Sequence, residues 1–435
     1  MPGLRPYLFC ADDFTGASDT LGTLARGGLA VRLYLDAAEA LRDSAHLTLD
    51  AIGIATATRS LPPEAIQAEL AHLADALARM QPRLLHYKVC STFDSSPTVG
   101  SIGAAARSLG ERLGLTRLAV VGGQPSLGRY CHYGNLFARA ADGAVYRIDR
   151  HPVMGRHPVT PMAEADLRLH LAAQGLPQPQ LVERGLYRAG AAALAERLEA
   201  LWGDGRQPVL FDVGEQDDLA AVGGALAAVA ERAPLLCVGP SSVAEALLAA
   251  GALRASRPAS GGGAAVVARD GRPCFVLSGS RSAVTERQIE AAGGFARLPI
   301  EPGELVHDTR RRCGEIAARC AELLAEGRSV LAHLLPGAEH GLSNVKLAAA
   351  TATIAAEVAR SGLAGTLVVA GGDTSSMAVR ALGLTSISFQ ADLDPGAPLC
   401  LAHAADPQLD GLPLVLKGGQ MGREDLFRRL GQGRI

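Results

Sequence analysis

The fold class is indicated first by the stretch YLFCADDFTGASD, residues 7–19. Its opening run YLFCA (7–11) has the length and the apolar composition of a buried strand, and two aspartates follow it directly. Three small residues come next and are expected to form a tight turn before a helix begins: Thr15, Gly16 and Ser18. A strand that runs through a polar turn into a helix is the repeating unit of an α/β fold.

The same unit recurs along almost the whole chain. Further apolar runs lie at residues 30–35, 51–56, 84–90, 118–123, 209–213, 235–239, 274–280, 329–335, 366–372 and 412–419. Amphipathic helical patterns separate these runs, for example at residues 64–80, 188–202 and 343–361. This alternation predicts an α/β fold with mostly parallel sheets.

The alternation is interrupted at residues 255–265, ASRPASGGGAA, which are rich in small residues and proline and lack an apolar period. They predict a linker between two α/β domains, residues 1–254 and 266–435. A second irregular segment, about residues 124–161, is long and polar, and such a segment within an α/β domain is more often functional than idle.

Composition excludes several classes of function. The 435 residues carry 42 basic and 44 acidic side chains, a formal net charge of −2, which argues against a nucleic-acid or membrane partner. No run approaches the roughly 18 apolar residues of a membrane span, and the N-terminus does not resemble a signal peptide, so a cytoplasmic protein is expected. The eight cysteines form no CxxC pair, which indicates neither a disulfide framework nor a zinc site.

Three polar segments of the first domain are candidates for binding a small acid. FCADDFTGASD (9–19) offers carboxylates that suit gripping a hydroxyl or accepting its proton, although Asp13 could instead cap a helix. HYKVCSTFDSS (86–96) puts a lysine and a hydroxyl cluster at a strand end, which suits an anionic head group, although a solvated loop with a capping residue is the alternative. RIDRHPVMGRHPVTPM (147–162) could line the site or be a rigid surface loop. The candidates in these and the intervening segment are Asp12 and Asp13 as catalytic residues, and Thr15, Asp19, Lys88, Ser91, Thr92, Asp94, Arg129 and His157 as substrate-binding residues.

The second domain carries three junctions in which a strand passes through a Gly/Ser turn into a helix. They are CFVLSGSRSAVTERQI (274–289), VVAGGDTSSMAVRALGL (368–384) and LKGGQMGRED (416–425). Small residues before a helix N-terminus can cradle phosphates, and three such turns in one domain predict a nucleotide pocket. The candidate residues are Ser278, Ser280, Ser282, Gly371, Gly372, Asp373, Thr374 and Gly419.

In this order, the motifs ADDFTGASD, KVCSTFDSS, RHPVTPM, LSGSRS, AGGDTSS and LKGGQMGREDLF closely resemble those of the four-carbon acid sugar kinases. The motif CSTFDS is most similar to the corresponding motif of the 3-oxo-tetronate kinase branch. The resemblance implies ATP-dependent phosphorylation, with Mg²⁺, of the terminal hydroxyl of a four-carbon acid such as 3-oxo-tetronate, threonate or erythronate. It places the acid in the N-terminal domain and ATP in the C-terminal domain, at Ser282, Gly371 to Thr374 and Gly419, and it therefore implies an active site in the cleft between the two domains. Metal ligands and a homo-oligomeric state are left open.

The chain departs from the family pattern in three places. Asp373 stands where glutamate is usual, Arg281 stands where cysteine is common, and the segment around Arg129 differs from the usual Pro-x-Asn-Gly-Arg. If that segment lines the sugar pocket, the substrate could differ from the family norm.

Two readings from other classes are weaker. A nicotinamide-dependent oxidoreductase would carry GxGxxG after its first strand, where this chain has ADDFTGASD. A non-catalytic sugar-acid sensor would lack the three predicted nucleotide cradles.

Overall fold

The computed structural model describes residue 4 and residues 6–203, 207–256, 268–305, 308–336, 343–394 and 396–434. The chain divides into two compact units, residues 1–260 and 261–435. Most of the predicted linker, residues 257–265, lies outside the described residues. An active site between the two domains remains a prediction of the sequence.

The first unit is built on a parallel sheet. Its strands are β1 (Tyr7–Ala11), β2 (Val31–Tyr34), β3 (Ala51–Ala55), β4 (Leu84–Lys88), β5 (Arg117–Gly122), β6 (Arg129–His132), β7 (Asn135–Arg139), β8 (Val145–Arg147), β9 (Gln180–Val182), β10 (Val209–Asp212) and β11 (Leu235–Gly239). Its helices are α1 (Phe14–Arg26), α2 (Ala37–Arg42), α3 (Pro63–Met80), α4 (Ile102–Leu113), α5 (Leu167–Ala172), α6 (Ala191–Trp202), α7 (Asp218–Arg232) and α8 (Ser242–Ala249).

The main sheet of this unit has the order β2-β3-β1-β4-β11-β5-β10-β9, and all of its described pairings are parallel. The strand order reverses between β1 and β4, since the chain passes from β1 outward to β2 and returns through β3 to reach β4 on the other side. In open α/β sheets, ligands bind at the carboxyl ends of the strands beside such a reversal. The central strands β1, β4 and β11 are buried on both faces.

The irregular segment 124–161 contains the antiparallel sheet β6-β7-β8. Sequence reasoning missed this sheet because its strands are short and only partly buried, so that they have no continuous apolar run. Gln124 pairs with Arg129 through two backbone hydrogen bonds, which folds residues 124–129 into a tight loop after β5.

The second unit holds a mixed sheet. Its strands are β12 (Cys274–Ser278), β13 (Ala296–Ile300), β14 (Val330–Leu334), β15 (Thr366–Ala370), β16 (Ser386–Asp394), β17 (Ala397–His403) and β18 (Pro413–Lys417). Its helices are α9 (Ala283–Ala291), α10 (Thr309–Ala325), α11 (Asn344–Arg360), α12 (Gly372–Leu382) and α13 (Leu426–Gly431). The order is β13-β14-β12-β15-β18-β17-β16, parallel from β13 to β18 and antiparallel for the last two strands.

The predicted α/β class with mostly parallel sheets is confirmed. The predicted turn at Thr15, Gly16 and Ser18 is wrong, because these residues lie inside α1, which begins at Phe14. Asp13 caps this helix and satisfies the backbone N–H of Gly16, which allows the helix to start directly after the aspartates. None of the helices in the described part of the chain is long and apolar enough to cross a membrane.

Candidate active site

The carboxyl ends of β1 and β3 bring two aspartates and an arginine together. Arg59, in the turn after β3, donates to both carboxylate oxygens of Asp12 at 3.1 and 2.9 Å. Its remaining terminal nitrogen lies 3.0 Å from Oδ2 of Asp13, so one guanidinium bridges both carboxylates. Arg59 was not predicted, since an arginine in a turn carries no local signal for a site.

The two aspartates have different surroundings. Asp12 is buried, and this burial raises the pKa of its carboxyl, although the Arg59 guanidinium opposes the shift and Asp13 adds to it. Asp13 keeps 21% of its side chain exposed, and its Oδ1 accepts from the backbone N–H of Gly16 at 2.7 Å. Asp13 therefore caps a helix, which was the predicted alternative to a catalytic role. Its second carboxylate oxygen contacts Arg59.

Lys88 lies at the end of β4, beside the aspartates. It pairs in register with Ala11 of β1, and its backbone carbonyl accepts from the N–H of Asp12 at 3.0 Å. The ammonium donates to the carbonyl of Val89 at 2.9 Å, and it comes so close to Gly16 that a Cβ there would lie 2.7 Å from Nζ. The structure thus brings the predicted lysine and the predicted aspartates to one strand reversal.

The turn after β4 adds thiol, hydroxyl and carboxylate groups. Thr92 donates to Oδ1 of Asp94 at 2.6 Å, and both side chains are buried. Burial raises the pKa of the Cys90 thiol to about 11, and the Asp94 carboxylate adds to the shift. Ser91 is half-buried in the same turn.

A second polar cluster was not predicted and joins the loop after β5 to helix α8. Gln124 and Ser126 both donate to Oε1 of Glu245, at 3.0 and 2.8 Å. Burial raises the pKa of the Glu245 carboxyl, while the bonds from Ser126 and Gln124 oppose the shift. Since β5, β11, β4 and β1 are consecutive in the sheet, this cluster lies along the same carboxyl edge as Lys88 and Asp12.

Three buried polar atoms in this loop region have no hydrogen-bond partner among the described residues. They are Oε1 of Gln124, Oε2 of Glu245 and Nε of Arg129. Gln124 and Arg129 face each other across a bridge, so their side chains leave the same face of the loop. Burial lowers the pKa of Arg129, and the neighbouring Cys90 opposes this shift, which puts Arg129 near the turn after β4. Buried polar atoms without partners are rare, and a bound ligand is one way to satisfy them.

The other predicted residues of this unit make structural contacts. Ser241, after β11, donates to Oδ2 of Asp19 at 2.5 Å, which ties helix α1 to the end of β11. Nδ1 of His157 lies 3.1 Å from both the backbone nitrogen and the hydroxyl of Thr160, a contact inside its own loop. Thr15 lies half-buried in the first turn of α1. A substrate role for these three residues stays a prediction.

In the second unit, the three predicted Gly/Ser turns meet around one pocket of about 320 Å³. Its lining includes Gly279, Ser280, Arg281, Leu334, Leu347, Ala348, Gly371, Gly372, Asp373, Thr374 and Gly419. Ser278 and Ser282 are not part of this lining, but both support it. Ser278 donates to the carbonyl of Ser280 at 3.2 Å, and Ser282 donates to the carbonyl of Gly419 at 2.5 Å.

Three glycines shape the wall of this pocket. A Cβ on Gly279 would lie 2.1 Å from the hydroxyl of Thr374, and one on Gly419 would lie 2.4 Å from the hydroxyl of Ser280. Gly371, between β15 and α12, has a φ of 126°, which L-residues rarely adopt. The backbone can therefore approach a ligand closely where these strands end.

Comparisons with known proteins identify the family. The family description "Sugar-binding N-terminal domain" matches residues 7–247, and "Nucleotide-binding C-terminal domain" matches residues 275–427. The chain belongs to the four-carbon acid sugar kinase family. The resemblance drawn from the sequence motifs is thereby confirmed, and the protein is a kinase.

Members of this kinase family align with nearly the whole chain. A protein of Paraburkholderia graminis named 3-oxo-isoapionate kinase is 35% identical and covers 98% of this chain and 94% of its own. A 3-oxo-tetronate kinase of Methylobacterium radiotolerans is 33% identical, with 96% and 97% covered, and one of Cupriavidus necator is 33% identical, with 97% and 96% covered.

Solved structures agree in fold with this kinase. A Salmonella typhimurium LT2 protein matches with a TM-score of 0.78 at 23% identity, covering 97% of this chain and 98% of its own. A Haemophilus influenzae protein matches with a TM-score of 0.72 at 24% identity, covering 98% and 99%. At these identities the likeness establishes the α/β fold alone.

Proposed function

We propose that this kinase transfers the γ-phosphoryl group of ATP to the terminal hydroxyl of a small 3-oxo sugar acid, with 3-oxo-tetronate as the first candidate. The observation that carries the substrate class is the polar edge of the first unit, where Lys88, Arg59 and Arg129 lie among carboxylates. The kinase relatives named for 3-oxo acids support the same class.

The unpartnered atoms complement such an acid. A carboxylate and an oxo group only accept hydrogen bonds, and they suit the ammonium of Lys88 and Nε of Arg129. Hydroxyl groups can also donate, and they suit Oε1 of Gln124 and Oε2 of Glu245. Arg129 therefore keeps its proposed substrate role, while Gln124 and Glu245 are added to the site.

One of the two aspartates is proposed to orient the reacting hydroxyl or take its proton. Asp12 has the raised pKa that suits a proton acceptor, and Asp13 is the more exposed to a ligand. Phosphoryl transfer depends mainly on positioning and on charge neutralisation. A fixed carboxylate beside the hydroxyl would therefore be sufficient to orient this hydroxyl for the transfer.

The nucleotide phosphates are assigned to the pocket at Gly279, Gly371 and Gly419. Asp373 is exposed, and among the described residues that line the pocket it is the single acidic one. Among the described residues, no group of three or more His, Cys, Asp or Glu side chains is placed to hold a metal ion. The Asp373 carboxylate fits Mg²⁺, which proteins often hold through one or two carboxylates together with the substrate phosphates. When bound, Mg²⁺ would neutralise phosphate charge, with Asp373 as its candidate ligand.

A panel assay tests the proposal. ATP consumption by the purified protein is measured with 3-oxo-tetronate, threonate, erythronate and 3-oxo-isoapionate, each with and without Mg²⁺. We expect a 3-oxo acid to give the highest kcat/KM and a product phosphorylated at its terminal hydroxyl. ATP consumption that none of the four acids stimulates would refute the proposed reaction.

3-Oxo-isoapionate is the second candidate substrate. It is favoured by the Paraburkholderia graminis relative, which is 35% identical over nearly the full length. The loop at residues 124–129 also departs from the expected sequence motif of the family. It carries two of the three buried atoms without a hydrogen-bond partner, Oε1 of Gln124 and Nε of Arg129. A kcat/KM higher for 3-oxo-isoapionate than for 3-oxo-tetronate would establish this alternative while keeping the reaction type.

A further inference from the structure

Lys417 is a buried cation close to the nucleotide pocket. It ends β18, only 1% of its surface is exposed, and its ammonium donates to the hydroxyl of Thr285 at 3.1 Å. The ring of Phe427 lies 5.7 Å from Nζ, which provides a cation–π contact. Within the described residues, no carboxylate comes within 4.0 Å of Nζ. A buried lysine without an ion-pair partner is costly and rare.

Two successive hydrogen bonds connect Lys417 to a residue that lines the pocket. The hydroxyl of Thr285 donates onward to the carbonyl of Gly419 at 2.7 Å, and the hydroxyl of Ser282 donates to the same carbonyl at 2.5 Å. Gly419 lines the pocket, whereas Lys417 does not. Lys417 therefore does not line the pocket itself and is connected to it through the side chain of Thr285.

We propose that Lys417 is a positioning residue of the nucleotide site: it holds Thr285 so that the turn at Gly419 keeps the shape that accepts phosphate. The bound phosphates then place negative charge near the buried ammonium, which has no carboxylate partner among the described residues. This inference rests on the proposed nucleotide site and extends it to a residue that does not touch the ligand.

The neighbours of Lys417 leave its charge uncompensated by protein groups. Helix α9 presents the neutral Thr285 and Gln288 as its buried polar residues, and its charged residues are exposed: Glu286, Arg287 and Glu290. On α12, Asp373 and Arg380 are exposed, and Arg428 of α13 is exposed as well. Arg429 of α13 pairs with Asp394 of β16 at 2.6 Å.

Nucleotide binding is therefore expected to take up protons. Burial lowers the pKa of Lys417 to about 8. An anion bound nearby favours the charged ammonium and raises this pKa, so between about pH 8 and 9 the complex holds more protons than the free protein. The affinity for ATP should accordingly fall as the pH rises above 8.

The experiment is calorimetric titration of the full-length protein with MgATP, without sugar acid, at pH 8.5 in two buffers of different ionisation enthalpy. Wild type is compared with Lys417→Met, Thr285→Val and Thr285→Ser. Arg380→Met is the control, because it also removes one positive charge from the same unit, at an exposed position. Thermal unfolding confirms that each variant is folded.

We expect Lys417→Met to weaken MgATP binding about tenfold or more and to abolish the proton uptake. Thr285→Val should weaken binding in the same way, whereas Thr285→Ser and Arg380→Met should behave like wild type. If Lys417→Met does not fold, the test rests on the comparison of Thr285→Val with Thr285→Ser and on the proton uptake of wild type. Wild-type affinity in folded Thr285→Val, or wild-type binding without proton uptake at pH 8.5, overturns the inference. Failure of wild type to bind MgATP at all would instead refute the proposed nucleotide site.

Discussion

Asp12 and Asp13 show how a structural role and a catalytic role can share one motif. Asp13 caps α1 and contacts Arg59, so loss of its side chain affects both the helix and the site. An asparagine keeps the cap but removes the charge, because Asn and Asp cap helices about equally well. We expect at least one of Asp12→Asn and Asp13→Asn to remain folded, to bind ATP and to lose about 10²–10⁴-fold in kcat.

Steady-state kinetics and ATP titration together check this expectation. Asp36→Asn is the matched control, since Asp36 is an exposed cap of α2 in the same unit. Near wild-type turnover in both site variants would leave these aspartates a positioning role only.

Lys88 is expected to hold the acid rather than act on ATP. Lys88→Met should raise KM for the sugar acid about tenfold or more, with KM for ATP nearly unchanged, because a charge-assisted hydrogen bond is lost. Lys88→Arg should not rescue the variant, since the ammonium lies against Gly16 and a larger planar guanidinium does not fit there. Rescue by arginine, or equal changes in both KM values, would contradict this assignment.

Apart from Arg129, the site residues that sequence reasoning found follow strands directly, and those that it missed come from other elements. Lys88 and Asp12 end adjacent strands, so strand ends alone could indicate them. Arg59, Gln124 and Glu245 come from a turn, a loop and a helix, where each residue type is ordinary. What makes them part of the site is strand order, which local patterns do not encode.

At the scale of elements, the turn between β15 and α12 is constrained both by its neighbours and by its backbone conformation. A Cβ on Gly371 would lie 3.2 Å from the hydroxyl of Thr374 and 3.3 Å from the backbone nitrogen of Ser280, and its φ of 126° strains any L-residue. We expect Gly371→Ala to destabilise the protein by about 1–2 kcal/mol and to weaken ATP binding about tenfold, because the two turns must move apart.

Gly383 provides the control at the other end of the same helix. It also has a positive φ, of 70°, but a Cβ there would meet open space. Gly383→Ala should therefore cost stability without changing ATP affinity, as measured by thermal unfolding and nucleotide titration. Equal ATP affinities in the two variants would show that the Gly371 turn does not contact the nucleotide.

The elements that sequence predicted are the buried ones. Strands such as β1 and β11 are apolar throughout, and their predicted bounds match the structure. Strand β13, ARLPI, alternates in burial, contains a proline and lies at the end of the sheet order, so it has no apolar run to reveal it. The antiparallel β16 and β17 were also missed, because the regular strand–helix alternation stops before them.

At the scale of the whole molecule, the alternation of strands and helices was sufficient to predict the α/β class. Strand order was not predictable in this way, because each helix can return the chain to either side of the preceding strand. Order decides which strand ends meet, and therefore which of the polar turns belong to one site.

The stability of the first unit should depend on a histidine at its centre. His86 lies in β4, fully buried, where its Nδ1 accepts from the hydroxyl of Tyr7 at 2.7 Å and its Nε2–H donates to the carbonyl of Gly239 at 2.9 Å. This arrangement holds the neutral ring, and burial lowers the pKa of His86 to about 3. In the unfolded chain the pKa returns to about 6.5.

The unfolded state therefore binds a proton that the folded state excludes, in the window between pH 6.5 and 3. The stabilising difference is fully present above pH 6.5 and is lost as the pH falls toward 3, at up to about 1.4 kcal/mol per pH unit. We expect this group alone to lower the free energy of unfolding by about 2 kcal/mol between pH 7 and pH 5. Urea unfolding followed by tryptophan fluorescence reports on this unit, since Trp202, the single tryptophan, is buried within it.

His86→Gln removes the titration, so its free energy of unfolding should fall less steeply over the same interval, by about 1.4 kcal/mol per pH unit near pH 5. His72→Gln, which replaces an exposed histidine on α3 of the same unit, should leave the wild-type slope unchanged. A His86→Gln slope equal to that of wild type would mean that the histidine is protonated in the folded protein, and its two buried hydrogen bonds would then have to be reassigned, because a protonated Nδ1 cannot accept from Tyr7.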